Sequence, residues 1–566
     1  MIGIDLGTTN SAIAVWQDGK PELIANALGE RLTPSVVSVL EDGAIVVGQA
    51  AKDRLLTHPT MTIAAFKRWM GSGRSTLLGK RSFRPEELSA LVLRQLVDDA
   101  ARALGRPITE AVISVPAYFS DAQRRATRIA GELAGLKVER LVNEPTAAAI
   151  AYGLHDALNE HRILIIDLGG GTLDVSLLEF FDGVMQVHAT AGDNFLGGED
   201  FDSVIVDAFL TQHGIKADTL SDIEAAALRI QAVRAKHQLS SAHSVQLSLS
   251  TKSMLRNRTL ESSLTREQFE ALVEPLLTRT RHVIERALRD ARSTPSAIDS
   301  VVLGGGATRM PMLRNMVGRL FGRLPLSHLS PDEVVAMGAA AQAGLQARDG
   351  ALQDVVLTDV SPYTLGIEVA VQRGARDHES GHFLPIIERN STVPVSRVER
   401  VVPVQPNQRV LTCEIYQGES RLVKNNIKLG SVEVPLPKDG GDNGVEVRFT
   451  YDVNGILEVL IKVLADGSMR RLVINHGGKT LSDTEIEASL TKLANIKVHP
   501  REDAPNRALI ARAERVYEEC LGDDRNRVAE ALRAFEIVLD QQQPHAVEAA
   551  RAALEQALAQ FDLGVF

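Results

Sequence analysis

The sequence predicts a chain of several domains, in which an α/β region is followed by an antiparallel β domain and then by helices. Length is the first observation, because 566 residues are too many for one hydrophobic core and suggest two to four domains. The second is that residues 1–350 alternate strand-like and helix-like segments, as α/β folds do. The third is a change beyond residue 360 to short segments of alternating apolar and polar residues.

The composition is that of an ordinary globular protein, with 44% hydrophobic and 24% charged residues. The net charge of −10 argues against a nucleic-acid binder, which needs a basic face. We find no secretory signal before the first strand and no apolar run of about 18 residues, so no membrane partner is expected. Two cysteines, Cys413 and Cys520, suit neither a disulfide framework nor a zinc site. These features together predict a cytoplasmic protein.

One phrase occurs twice in the α/β region. Residues 2–11 read IGIDLGTTNS and residues 165–176 read IIDLGGGTLDVS, so each copy runs from an apolar strand through Asp into a Gly-rich turn with Thr. Such a turn lets backbone N–H groups approach phosphate oxygens, because glycine has no Cβ in the way. An Asp at the strand end can hold Mg²⁺, usually through water. One loop alone would favour a tight structural turn, but a third, GGGATRMP at 304–311, favours a phosphate site that is not a P-loop.

The remaining elements of this region follow from local patterns. Strands are expected at 112–116, 163–167 and 301–305, where apolar residues run together. Helices are expected after Pro85 and from Pro145 to Tyr152, with proline in its favoured first-turn position. The apolar segment ALQDVVLTDV at 351–360 is short and contains acidic residues, and it is interpreted as a linker.

Beyond the linker, residues 361 to about 480 are expected to form an antiparallel β domain, with a hairpin turn at Asn454–Gly455. A capping box at Ser482 and Glu485 then predicts helices. Three helical faces follow, which we interpret as ordinary helix packing. Their apolar members are Leu509, Ala513, Val516 and Cys520 on the first face, Val528, Leu532, Phe535 and Leu539 on the second, and Val547, Leu554, Leu558 and Phe561 on the third.

The two phrases resemble the phosphate loops of the actin, sugar-kinase and heat-shock chaperone superfamily, a duplicated α/β fold whose halves close on a nucleotide. Within it, IGIDLGTTNS, VPAYFSDAQRRAT, NEPTAAAIAYG, DLGGGTLDVS, GGEDFD and SPDEVVAMGAAAQA are similar to DnaK-type heat shock protein 70 chaperones, in order along almost the whole chain. The resemblance implies a duplicated α/β actin-like ATPase domain (1–350), an interdomain linker (351–360), an antiparallel β-sandwich peptide-binding domain (361–480) and a short C-terminal α-helical lid (481–566).

The resemblance also implies ATP or ADP, Mg²⁺ and K⁺ as ligands. Asp5, Asp167 and Asp174 would surround the ions, largely through water. Gly7, Thr8, Thr9 and Asn10 would meet the phosphates from one side, and Gly169, Gly170, Gly171 and Thr172 from the other.

Two further side chains would serve a slow, metal-assisted phosphoryl transfer to water. Lys67 matches the family lysine that reaches the γ-phosphate and the attacking water, although outside the motif it would pass for a surface lysine. Glu144 matches the carboxylate beside the water on the metal, and a favourable charge at a helix N-terminus would equally explain it.

On the adenosine side, the resemblance assigns Lys236, Ser240, Gly305, Gly306, Arg309 and Asp332 to the nucleotide. Val233 stands where the family usually has a ribose-binding Glu, and Ala307 stands where a small hydroxyl residue is usual. Each lost hydrogen bond costs about 0.5–1.5 kcal/mol. We therefore expect weaker nucleotide binding than in the family, which a titration against a relative with the Glu would check.

The resemblance further implies that ATP binding docks the linker, and that peptide binding stimulates hydrolysis. Pro116 and Arg124 would relay this coupling. Thr358 places a hydroxyl on the apolar stripe of the linker, which would weaken its docking unless the position is half-exposed, where a single Thr would be neutral. A J-domain co-chaperone would engage Arg140, Asn143 and Asp359.

The β domain would hold an extended client peptide by main-chain hydrogen bonds, with one apolar side chain in a pocket. The matching positions are Ile367, Ala370, Val401, Val404 and Leu411, together with Cys413 and Ile415, for which a place in the β-domain core is an equal alternative. In many relatives a long Met faces an Ala in the arch over the bound peptide. Here Ala370 would face Val404, so the larger side chain of the arch lies partly on the opposite side. We expect a narrower client range than that of a general chaperone, which a peptide array would test.

The C-terminal segment resembles the short-lid bacterial branch typified by HscC, which implies incomplete lid closure and leaves the need for a nucleotide-exchange factor open. A sugar or acetate kinase or an actin-like filament protein would leave residues 355–480 unexplained. A nucleotide-sensing regulator that hydrolyses little ATP stays an alternative to the ATP-dependent chaperone, given Val233 and Thr358.

Overall fold

A computed structural model divides the chain into two compact units, Met1–Thr358 and Asp359–Phe566. The structure describes residues 1–152, 161–181, 184–251, 258–326, 329–346, 356–372, 378–405, 408–437, 444–451, 457–474, 509, 513, 516, 517, 520, 522–540 and 544–559. None of the helices in this part of the chain is long and apolar enough to cross a membrane.

The first unit consists of mixed β-sheets with helices packed around them. Its strands are β1 Ile2–Asp5, β2 Asn10–Gln17, β3 Lys20–Leu23, β4 Thr33–Pro34, β5 Val36–Val39, β6 Ile45–Val47, β7 Thr62–Ala64, β8 Thr76–Leu78, β9 Arg81–Phe83, β10 Glu110–Val115, β11 Lys137–Asn143, β12 His161–Leu168, β13 Leu173–Phe181, β14 Val184–Asp193, β15 Ser244–Thr251, β16 Arg258–Thr265 and β17 Ser300–Gly304. Its helices are α1 Gln49–Lys52, α2 Pro85–Leu104, α3 Asp121–Leu133, α4 Glu144–Ala151, α5 Gly198–His213, α6 Asp222–Leu239, α7 Arg266–Asp290, α8 Pro311–Phe321 and α9 Val334–Gln346.

Two sheets of this unit repeat one strand pattern. In the order β11-β10-β1-β2-β3, strand β1 is parallel to β10 and antiparallel to β2. In the order β17-β12-β13-β14, strand β12 is parallel to β17 and antiparallel to β13. Each copy of the repeated sequence phrase therefore supplies the same central strand of its own sheet. This topology fits the predicted duplication of an α/β unit, and each sheet packs on its own buried apolar cluster.

Local sequence explains where the helices begin. The predicted helix after Pro85 is α2, which starts at this proline and ends before Gly105, a left-handed residue with φ 65°. At α6, the N–H of Ser221 donates to Oε2 of Glu224 at 2.9 Å, and the Ser221 hydroxyl accepts from the Glu224 N–H at 3.4 Å. The alanine-rich helix α4 begins one residue before the predicted Pro145.

The last strand associated with the first unit begins inside the segment interpreted as a linker. Strand β18 is Val356–Val360, and its residues Val356–Thr358 pair in parallel with residues 184–186 of β14. Part of the predicted linker is therefore a strand. Its residues 351–355 lie outside the described part of the chain.

The strands of the second unit are β19 Leu365–Gln372, β20 His378–Ile387, β21 Thr392–Val393, β22 Val395–Val401, β23 Val410–Gln417, β24 Ile427–Pro435, β25 Val445–Tyr451, β26 Leu457–Val463 and β27 Met469–Ile474. They include two four-stranded antiparallel sheets, in the orders β20-β19-β23-β24 and β22-β25-β26-β27. Side chains from both sheets form one buried apolar cluster between them, which fits the predicted β-sandwich. The predicted hairpin joins β25 and β26, while its turn at Asn454–Gly455 lies outside the described residues.

Helices α10 Gly522–Asp540 and α11 Pro544–Ala559 follow the sandwich. With the described residues between 509 and 520, they share a buried cluster that contains members of all three predicted faces: Leu509, Ala513, Val516, Tyr517, Val528, Leu532, Phe535, Leu554 and Leu558. The capping box at Ser482 and Glu485 lies outside the described residues, as do Phe561 and the side chains of Leu539 and Val547.

Candidate functional site

The two copies of the repeated phrase meet in the first unit. A Cβ at Gly170 would lie 2.1 Å from Oγ1 of Thr9, and one at Gly171 would lie 3.1 Å from Cγ2 of Thr8. A third glycine turn closes on the second loop, where the Gly198 N–H donates to the Gly169 carbonyl at 2.9 Å. Only residues without side chains permit this approach. The backbone of both loops is therefore gathered at one place, as a phosphate site requires.

Three aspartates lie at the strand ends beside these loops, of which Asp167 and Asp174 are buried and Asp5 is partly buried. Asp167 and Asp174 are cross-strand partners in β12 and β13. The Ser114 hydroxyl donates to Oδ1 of Asp5 at 2.7 Å, and the backbone N–H of Tyr118 donates to Oδ1 of Asp174 at 2.8 Å. Asp5 and Asp174 are thus each held by a donor from the end of β10 or from the segment that follows it.

A lysine and a glutamate complete what we call the acidic cluster: Asp5, Lys67, Glu144, Asp167 and Asp174. Nζ of Lys67 donates to Oε1 of Glu144 at 2.8 Å, and both side chains are buried. Burial, followed by the charge of Glu144, raises the pKa of Asp5 and of Asp174 to about 7, and raises the pKa of Asp167 well above its usual range. Four carboxylates with one lysine leave an excess of negative charge.

The acidic cluster fits a hydrated cation. Within the described part of the chain, Oδ2 of Asp174 is buried without a hydrogen-bond donor. A buried carboxylate oxygen of this kind is costly unless a donor or a cation satisfies it. Among the described residues, no three His, Cys, Asp or Glu side chains are grouped to hold a metal directly. An ion that keeps most of its water, as Mg²⁺ does, is the better match.

The third predicted loop follows β17 on the same side of the sheet. Gly304 is the cross-strand partner of Asp167, and Gly305 has a left-handed φ of 76° where a Cβ would lie 2.3 Å from the Leu168 carbonyl oxygen. Arg309 forms an ion pair with Asp332 at 2.6 Å. The loop and these two side chains, all predicted to meet the nucleotide, therefore lie next to the acidic cluster or to one another.

The predicted adenosine residues lie on or beside α6. Nζ of Lys236 donates to Oδ2 of Asp202 at 2.8 Å and to the Gly198 carbonyl at 2.8 Å, so this lysine joins α6 to the glycine turn. Ser240 ends the helix, where its hydroxyl contacts the Lys236 carbonyl at 3.4 Å. Val233 is half-buried one turn earlier and offers no polar atom.

The profile of the Hsp70 protein family matches residues 1–78 and 73–564. The chain belongs to the Hsp70 family. It is 41% identical to the chaperone protein dnaK3 of Thermosynechococcus vestitus over 99% of this chain and 87% of the relative. It is 41% identical to the chaperone protein DnaK 1 of a Synechococcus strain, over 100% and 79%, and 44% identical to the chaperone protein DnaK of Thermotoga petrophila, over 86% and 82%. The HscC-like branch stays a prediction.

The residues predicted to relay coupling in this Hsp70 chain form a bonded set. The Arg124 guanidinium donates to the Ala117 carbonyl at 3.0 Å and to Oδ1 of Asn143 at 2.6 Å. Asn143 directly precedes Glu144 of the acidic cluster, and Pro116 follows β10 just before the Ala117 carbonyl. Arg140 lies on the same strand as Asn143. Asp359 lies in the second unit, where it pairs with Val393 of β21.

The predicted peptide positions of the Hsp70 β-sandwich differ in burial. Ile367, Cys413 and Ile415 belong to the core of the sandwich, as the core alternative for the latter two expects. Val401 and Leu411 are partly buried against this core, Ala370 is half-buried and Val404 is 43% exposed. Peptide contact by these residues stays a prediction.

Several residues of the candidate site were not predicted. Ser114 and Tyr118 hold Asp5 and Asp174, while Asp202 binds Lys236. The Arg68 guanidinium donates to both carboxylate oxygens of Asp200, at 3.0 and 3.2 Å. Asp200 and Asp202 lie in the quoted GGEDFD motif, whose two acids could have been read as partners for nearby cations. Ser114 and a backbone N–H carry no such signal.

Proposed function

We propose that this Hsp70-family chain is an ATP-dependent chaperone whose first unit hydrolyses ATP and whose second unit binds extended apolar segments of client proteins. The carrying observation is the acidic cluster at the contact of two glycine loops from the two halves of a duplicated fold. The relatives from Thermosynechococcus, Synechococcus and Thermotoga are named as chaperone proteins, which supports the client-binding role.

The proposed chemistry follows from the charges and donors of the site. The N–H groups of the loops around Gly7 and Gly170 would bind the phosphates, with Mg²⁺ held through water by Asp5, Asp167 and Asp174. When bound, Mg²⁺ neutralises the phosphates and the surplus carboxylate charge. Lys67, held 2.8 Å from Glu144, would orient the attacking water and stabilise charge on the transferred group.

Coupling between the units is also part of this proposal. Arg124 links the loop that holds Asp174 to Asn143, beside Glu144, so a change at the γ-phosphate would reach this hydrogen-bonded set. A J-domain partner at Arg140, Asn143 and Asp359 would act on the same elements. A narrower client range and incomplete closure by a helical lid remain part of the proposal, with peptide arrays and peptide release rates as their measurements.

Steady-state ATP hydrolysis, measured with and without an unfolded peptide and a J-domain protein, tests the proposed function. We expect stimulation by both, and we expect Lys67→Ala to lower the rate by about 100-fold or more while MgADP still binds. Arg74→Ala is the matched control, because Arg74 is an exposed cation near the same segment that stacks on Trp69. Absence of stimulation would favour the nucleotide-sensing regulator, for which the buried, unpartnered hydroxyl of Thr358 on the linker strand is the supporting observation among the described residues.

A further inference from the structure

Arg525 is the largest side chain that is almost completely buried in the described structure, with 2% exposure. It lies in the first turn of α10, where an arginine would ordinarily face solvent. Its Nη1 donates to Oε2 of Glu388 at 3.0 Å, and its Nη2 donates to Oε2 of Glu419 at 2.6 Å. Its Nε donates to the Cys520 carbonyl at 2.9 Å, and the guanidinium lies 5.3 Å from the ring of Tyr517. Arg525 therefore joins the C-terminal helices to the β-sandwich.

The receiving pocket belongs to the β-sandwich and is already organised around Glu419. This carboxylate accepts from Nη1 of Arg389 at 2.9 Å, and from the backbone N–H and the hydroxyl of Thr364 at 2.8 and 3.0 Å. The two arginines and the Thr364 donors together hold the pKa of Glu419 below its usual value although burial opposes this. We call Thr364, Glu388, Arg389, Glu419 and Arg525 the basal junction.

The basal junction lies where the linker enters the second unit. Thr364 is four residues beyond Val360, the end of the linker strand β18. Between them, the Ser361 N–H donates to the Ser391 carbonyl at 2.9 Å, and the Asn390 N–H donates to the Ser361 carbonyl at 2.7 Å. The loop that carries Glu388 and Arg389 is thus bonded to the chain segment that leaves the linker.

The apolar cores on the two sides of the junction are separate. The described members of the helical cluster all come from residues 509–558, and those of the sandwich cluster all come from residues 365–474. The contact at Arg525 is instead charged and hydrogen-bonded. Separation of the two parts would leave Glu388 without its arginine and Glu419 with one arginine, but would open neither core.

We propose that Arg525 docks the C-terminal helices on the linker end of the β-sandwich, and that this docking holds the segment 361–366 in place. Release of Arg525 loosens the carboxylate of Glu419, and through it the Thr364 backbone beside the linker. The helices thereby act on the linker from the second unit, independently of any role over a bound peptide. Arg525 is a positioning residue in this device.

Hydrogen exchange on the full-length chain tests the proposal by comparing Arg525→Gln with Arg527→Gln. Arg527 lies two residues further along α10 with its side chain 59% exposed, which makes it a matched control. We expect amides of 361–366 and 417–421 to exchange about 100-fold faster in Arg525→Gln, because the ion pairs of Arg525 with Glu388 and Glu419 are both broken, while 528–535 stay protected within their own core. Arg527→Gln should leave all three segments unchanged.

Equal exchange of 361–366 in the two variants would overturn the proposal. Loss of protection throughout the second unit in Arg525→Gln would indicate unfolding, and Arg525→Lys then decides. This substitution keeps a cation at position 525 but loses the guanidinium that contacts Glu388 and Glu419 together, and it leaves the contacts of Thr364 and Arg389 with Glu419 in place. It should still speed exchange at 361–366 by about tenfold, and exchange at the wild-type rate would contradict the proposed docking.

Discussion

The acidic cluster of the first unit and the basal junction of the second unit are both buried and charged, but their charges balance differently. The acidic cluster sets four carboxylates against Lys67. In the basal junction, Glu388 and Glu419 pair with Arg389 and Arg525. A buried charge without a partner is costly, so an excess of one sign indicates that the partner comes from outside the chain. A balanced set indicates a contact within the chain.

The pKa shifts of Asp174 and Glu419 express the same difference. Burial and neighbouring negative charge raise the pKa of Asp5 and Asp174 to about 7. Arginines and Thr364 lower the pKa of Glu419 despite its burial. Burial still raises the pKa of Glu388, against the attraction of Arg525. The sign of a shift therefore depends on whether the nearby cations and donors outweigh burial, as they do at Glu419 and not at Asp174.

Neutralising one carboxylate in each cluster should have opposite effects on stability. Glu419→Gln removes the partner of two buried arginines, and should destabilise the second unit by about 3–5 kcal/mol. Asp174→Asn relieves repulsion, and should stabilise the nucleotide-free first unit by about 1 kcal/mol. Calorimetry that resolves the transition of each unit would measure both. Glu458→Gln, in the exposed pair with Arg471, is the control and should change little. Effects of the same sign at both sites would contradict the comparison.

The stability of the nucleotide-free first unit should fall as the pH rises from about 4 to about 7. Asp5 and Asp174 have a pKa of about 7 in the folded chain against an ordinary 3.8, so in this window the folded state binds more protons than the unfolded state. The contribution of protonation is complete below the ordinary value and is lost as the pH rises through the folded value. We expect a loss of several kcal/mol, measured by calorimetry across this pH range.

Excess MgADP should remove most of this dependence of stability on pH, because bound Mg²⁺ takes over the neutralisation that protons supply at low pH. Asp174→Asn should weaken the same dependence, because it removes one of the titrating carboxylates. A melting temperature that rises between about pH 4 and pH 7 without nucleotide would show that the carboxylates are neutralised within the chain.

Much of the acidic cluster was predictable from sequence, whereas the basal junction was not. Asp5 and Asp167 follow apolar strands within a repeated phrase, and the pairing of such strands brings their ends together. Asp200 and Asp202 were missed because their partners, Arg68 and Lys236, are distant in sequence. Arg525 precedes a helical face correctly predicted to be buried, yet its own burial depends on an acidic pocket more than 100 residues earlier. The local hydrophobic periodicity around Arg525 does not indicate such a pocket.

Thr358 represents a third kind of buried polar group, which is neutral and unpaired. Its backbone pairs with Gln186 in the strand contact between β18 and β14, while no described residue bonds its buried Oγ1. The sequence placed this hydroxyl on the apolar stripe of the linker, and its burial supports the expected cost. Thr358→Val keeps the shape and removes the hydroxyl, so it should stabilise the paired linker by about 1 kcal/mol.

Exchange of the amides at 356–358 measures this effect, and should slow by about fivefold in Thr358→Val. Thr358→Ser is the control, because it keeps the hydroxyl and loses only a methyl group, and it should not slow exchange. Equal or faster exchange in Thr358→Val would mean that the hydroxyl finds a partner when the strand is paired. In that case the linker strand would resemble the basal junction, with its buried polar group already satisfied, and the weakened linker docking inferred from its sequence would have no physical cause.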